Sequence, residues 1–145
     1  MNKLINLSLI AVTAITFSAC VSSNSPSFQS AQKLDEKKVC DVKLNGLEKV
    51  IQTAKEYNKI AIERGVEFRR LGVNNSQLIE AVEEGIKTGA KEVNPKDFKG
   101  KISKTVLPID FAAQRACKFA IAALTQEKDA KTTWRLAVPG DGYKY

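Results

Sequence analysis

The chain has 145 residues, with 23 Lys+Arg against 16 Asp+Glu, a formal net charge of +7 and no histidine. That length holds one domain rather than two. The missing histidine excludes Ser-His-Asp and Cys-His catalysis, His-ligated zinc, and the one side chain whose unperturbed titration lies near neutrality.

Residues 1–20 begin Met-Asn-Lys, run through an apolar stretch from Leu4 to Phe17 broken only by Asn6, Ser8, Thr13 and Thr16, and end Ser18-Ala19-Cys20. A basic start, a short apolar run and small residues before a cut are the anatomy of a secretory signal. The run is shorter than the roughly 20 apolar residues of a membrane span. Phe17-Ser18-Ala19-Cys20 resembles the lipobox of bacterial lipoproteins, with Phe17 where Leu is usual. The resemblance covers these twenty residues only. It implies that residues 1–19 are a lipoprotein signal peptide and that Cys20 is lipidated, its thiol joined to diacylglycerol through a thioether, so that the lipid bilayer is a partner through the acylated Cys20. Two or three acyl chains, at about 0.8 kcal/mol per buried CH2, anchor a protein stably where one does not. Val21 stands where an Asp tends to retain enteric lipoproteins at the inner membrane, so the resemblance favours the outer membrane, with the domain facing the periplasm or the surface.

With Cys20 committed to lipid, Cys40 and Cys117 remain as an even pair in an oxidising compartment, and a disulfide between them is expected. A redox role would call for a CxxC pair, which is absent. Residues 20–30 are Ser-rich with Val21 and Phe28 as the bulky apolar members, the composition of a lipidated tether. The helical domain is then expected over residues 31–145.

From Leu47, apolar or small residues recur at Val50, Ile51, Ala54, Tyr57, Ala61, Gly65 and Phe68, one face of a helix. Cys40 and Leu44 continue that face backwards, so the helix starts near Asp35 or is broken at Asn45-Gly46. A hairpin turn there is disfavoured for want of strand alternation. Gly72 followed by Asn74, with Gln77 at capping-box spacing, marks a stop and a start. Leu78, Ile79, Val82 and Ile86 give the buried face of a second helix ending by Gly89. Asn94-Pro95 bounds a polar connector to Lys104, in which Val93, Phe98 and Ile102 fit a further short helix on the core. Asp110 caps a third long helix over about Phe111–Leu124, apolar over most of its circumference and therefore central, with Gln114, Arg115 and Lys118 as its polar strip. Thr132–Val138 has strand-like composition and is expected as an extended C-terminal segment on the helices, with pairing to residues 102–107 the alternative. The fold class is mainly α: a small bundle of about three to four helices with one disulfide and that extended segment.

Glu80, Glu83 and Glu84 share a side of the second helix, but no matching motif makes them a catalytic pair or metal site; they read as a solvated acidic face. Calcium-loop, P-loop and nucleophile-elbow motifs are absent. No cofactor is expected, and catalysis is disfavoured. The basic balance, with a pI of about 9.4, points in an envelope compartment away from nucleic acid and toward an envelope protein or an anionic envelope component. Lys96, Lys99, Lys101 and Lys104 form the densest basic cluster. Arg64, Arg69 and Arg70 hold three of the five arginines and, as forked donors, are candidates for partner binding; internal ion pairs to Glu63, Glu67 and Asp35 or Asp41 are the structural alternative. Trp134, Tyr143 and Tyr145 are further candidate contacts. The expected role is a lipid-anchored binding or structural domain, with a periplasmic immunity or inhibitor protein as the alternative.

Overall fold

The computed structural model describes residues 26–70 and 72–133, and within them the chain is mainly helical. Three single turns open it: α1 (Phe28–Ala31), α2 (Glu36–Val39) and α3 (Val42–Asn45). Each begins on a side-chain cap. Ser27 and Ser30 form a reciprocal box around α1, Asp35 accepts from the N–H groups of Lys37 and Lys38, and Asp41 accepts from that of Lys43. The Asn45 Nδ2 then donates back to the carbonyls of Lys38 (2.7 Å) and Asp41 (3.2 Å), and Gly46, at φ +80°, turns the chain into α4 (Leu47–Glu63). Of the two expected starts for the first long helix, the break at Asn45-Gly46 is the one that occurs. It also carries Leu44 off the buried face, to 70% exposure. The last residues of the expected tether are folded: α1 is helical from Phe28, Ala31 is buried, and the Ser30 hydroxyl lies 3.0 Å from that of Tyr57.

A two-residue hairpin, β1 (Arg69–Arg70) against β2 (Val73–Asn74), leads into α5 (Asn75–Thr88). The capping box between Asn74 and Gln77 forms, and Gly89 closes α5 in the left-handed conformation that satisfies its last carbonyls. A second short pair, β3 (Glu92–Val93) with β4 (Leu107–Pro108), brackets the connector, and α6 (Ile109–Thr133) follows.

Three expectations are corrected here. The connector contains no helix: Asp97 turns it instead, accepting at Oδ1 from the N–H groups of Lys99 (2.8 Å) and Lys101 (2.9 Å), and Phe98 and Ile102 stay exposed. The third helix begins at Ile109, so Asp110 lies in its first turn rather than capping it, and it runs nine residues past Leu124 to Thr133. Thr132 and Thr133, expected in an extended segment, are its last turn; residues 134–145 lie outside the described residues, and Ile102 and Leu107 pair with Lys96 and Val93.

Helices α4 and α6 run in the same direction. Gly46 and Leu47 share a depression with Ile109 at one end, and Arg64 pairs with Glu127 at the other. Helix α5 runs against them, its first residue Asn75 meeting Ala116 and its Gly85 packing under Ile109 and Val93. The alanines 112, 113, 116, 120 and 123 of α6 are all buried, which lets its neighbours approach closely, and Cys117 bonds to Cys40 across a Cα–Cα distance of 5.6 Å. Among the described residues no helix is long and apolar enough to cross a membrane.

Candidate functional site

The three-arginine patch expected from the sequence is divided by the fold. Arg64, at the end of α4, forks onto Glu127 of α6, with Nη2 donating to Oε1 at 2.6 Å and Nε to Oε2. Its guanidinium also stacks on the Phe28 ring at 3.9 Å, and Lys131 donates to the same carboxylate. Hydrogen bonds from Arg64 and then from Lys131 pull the Glu127 carboxyl down from its ordinary 4.5 to about 2, and the bond from Glu127 raises the Arg64 guanidinium in return. The partner is neither Glu63 nor Glu67 nor Asp35 nor Asp41. Arg64 is a brace between α1, α4 and α6.

Arg69 and Arg70 are exposed on β1, and of the two only Arg70 lines a cleft of about 460 Å³. One wall is the hairpin and the start of α5, the other the connector 95–107, and the floor belongs to α6. Arg70, Lys101, Lys104 and Arg115 line it together with Phe68, Val73, Leu78, Leu107 and Phe119. The floor is ordered by aromatic packing: Phe68 and Phe119 stack with ring centroids 3.9 Å apart, and the Arg115 guanidinium lies 5.0 Å above Phe119 and 5.8 Å from Phe111. The connector wall is pinned by the Phe98 N–H donating to the Gly72 carbonyl (2.8 Å), the Gln77 Nε2 to the Asp97 carbonyl (3.0 Å) and the Ser103 N–H to the Pro95 carbonyl (3.0 Å). Four cations thus surround an apolar floor on elements fixed to the core.

Under the cleft runs a polar chain. Glu67 Oε1 accepts from the Ser76 N–H (2.8 Å) and from Asn58 Nδ2 (3.1 Å); Asn58 Oδ1 accepts from Asn75 Nδ2 (2.9 Å), which also donates to the Ala116 carbonyl (3.0 Å). Two acceptors fix the orientation of the Asn75 amide, leaving its Oδ1 without a partner among the described residues although the residue is 2% exposed and lines the cleft. This chain locks the start of α5 to α4 and α6, which sets the position of the cleft wall.

Arg70 and the lysines 101 and 104 were visible in the sequence as charge clusters, whereas Arg115, Phe68, Phe119 and Asn75 had no place among the candidate contacts. The spacing Phe111–Arg115–Phe119, each four residues apart, carries the signal, since i,i+4 residues share a helix face. Lys96 and Lys99 are exposed outside the cleft lining. On the acidic face of α5, Glu83 pairs with Lys55 of α4 at 2.7 Å, and among the described residues no three His, Cys, Asp or Glu side chains are gathered where a metal ion could sit. Cys20, Trp134, Tyr143 and Tyr145 lie outside the described residues. No family of known proteins matches the chain, and neither a curated protein nor a solved structure does.

Proposed function

We propose that the chain is an envelope lipoprotein, held to the outer membrane through acylated Cys20, whose domain binds an anionic envelope component rather than transforming it. The cationic cleft carries this reading: Arg70, Lys101, Lys104 and Arg115 converge on one concavity, and among the described residues none of them meets a carboxylate within ion-pair distance. Forked arginines beside flexible lysines suit a carboxylate or phosphate. The lipobox resemblance at Phe17–Cys20 supplies the anchor, and the envelope compartment supplies the anions.

Two measurements test it. Palmitate should label the wild-type chain and not a Cys20→Ser chain; label retained after that change would overturn the anchor. In-cell cross-linking in the envelope should lose its products when Arg70→Glu and Lys104→Glu are combined, and an unchanged product pattern would overturn the cleft as the recognition surface.

A further inference from the structure

We infer that the cleft takes an amphiphilic anion, a phosphate or carboxylate group attached to an acyl or aryl body; this rests on reading the domain as a binding module. A site for a bare anion needs cations alone, and a site for an apolar molecule needs an uncharged lining. This cleft has both. Its apolar lining is the stacked Phe68–Phe119 pair with Leu78 and Leu107, and its cations stand on the hairpin, on the connector and on α6. At about 460 Å³ the space falls within the range of small-molecule sites.

The electrostatics are arranged to leave those cations available. Asp97 is the single acid among the described lining residues, and its Oδ1 already accepts from the backbone of Lys99 and Lys101, inside the connector's own turn. Arg115 is held by aromatic rings and, among the described residues, by no carboxylate, so its fork is preorganised and available. Ile102, on the connector wall, is 68% exposed and offers apolar surface that the body of a ligand would cover. A headgroup between Arg70, Lys104 and Arg115 with its body on Phe68 and Phe119 uses every one of these features.

Calorimetry on the purified full-length Cys20→Ser chain tests this with dodecyl phosphate below its micelle threshold, inorganic phosphate and the neutral octyl glucoside. Dodecyl phosphate should bind one to one, on the order of a hundredfold tighter than either control, since only it engages both halves of the cleft. Combined Arg70→Gln and Lys104→Gln, both at exposed positions, should weaken it about tenfold, the scale of losing a charge-assisted contact. Arg69→Gln, off the cleft, should leave it unchanged. Wild-type affinity should also fall as salt rises, a readout that needs no variant to fold. Either control binding as tightly as dodecyl phosphate, no binding of dodecyl phosphate, or an affinity indifferent to salt overturns the inference. Displacement of dodecyl phosphate by phosphatidylglycerol vesicles and not by phosphatidylcholine vesicles supports the ligand class with a membrane lipid as its source; no displacement by either supports it with a soluble source. If amphiphile binding fails while the envelope cross-links still depend on Arg70 and Lys104, this inference falls and the binding reading stands. Amphiphile binding with unaltered cross-links has the opposite meaning.

Discussion

Arg64 and Arg115 make a controlled comparison within one molecule. Both guanidinium groups lie over an aromatic ring, Phe28 at 3.9 Å and Phe119 at 5.0 Å, and both sit against α6. They differ by one carboxylate. Glu127, with its side chain only 10% exposed, meets Arg64 in a two-bonded fork, whereas Arg115 meets no carboxylate within ion-pair distance among the described residues. The first is consumed in holding α1, α4 and α6 together; the second is left facing a cleft. In a chain with 23 basic residues, what separates a structural cation from an available one is the acid the fold brings to it, not its density in the sequence.

The disulfide supports both sites, because α6 carries Glu127 and Arg115 on either side of Cys117. Replacing Cys40 and Cys117 together by Ala should cost about 4.5 kcal/mol in denaturant unfolding, the chain-entropy value for a separation of 77 residues. If hydrogen exchange then showed only one site loosened, the contrast would be one of local rigidity rather than of charge. Asn75→Ala acts nearer the cleft. It strands the Asn58 Oδ1 and removes a bond to the Ala116 carbonyl, so a loss of about 2 kcal/mol is expected by urea titration; a loss under about 0.5 kcal/mol would show that the chain beneath the cleft does not hold it. Gly85→Ala presses from the other side of α5, since a Cβ there would stand 2.7 Å from Val93 Cγ1 and 2.9 Å from Ile109 Cδ1. Overpacking of this kind costs about 1.5 kcal/mol, and an unchanged Tm would mean that β3 and the start of α6 yield freely.

The smallest effect is the most direct test of the comparison. The Glu127 carboxyl titrates near 2 in the folded chain and near its ordinary 4.5 when unfolded, so its stabilisation is complete above about 4.5 and is lost as pH falls toward 2. The Tm difference between wild type and Glu127→Gln should therefore be constant from neutral pH to about 5 and vanish by about pH 2. Arg115→Gln should leave Tm unchanged across the same range. A Tm loss there as large as that of Glu127→Gln would abolish the distinction between the two arginines.

Local chemistry made much of the fold legible. The Asn74–Gln77 box, Gly89 at the end of α5 and the alanine-rich face of α6 carry into the structure from short-range pattern, and the Cys40–Cys117 pair from cysteine count alone. The extension of α6 to Thr133 escaped because residues 125–133 are mostly polar and exposed, invisible to a search for apolar periodicity. The strands escaped because two residues cannot display alternation. The pairing of Arg64 with Glu127 spans 63 residues and leaves no local trace. Half the cleft was open to view in the basic connector and in Arg70; the other half depended on knowing that α6 forms the floor between the hairpin and the connector, which brings Arg115 beside them.

The covalent ring closed by Cys40 and Cys117 contains α3 to α5, both hairpins and the entire connector. Lys99, Lys101 and Lys104 are exposed inside that ring. A protease that cuts beside any of them divides the backbone without dividing the molecule: the two fragments stay linked, one through each cysteine, and migrate as one chain until reduced. The wall of the cleft is therefore a place where the protein can be nicked and still remain in one piece.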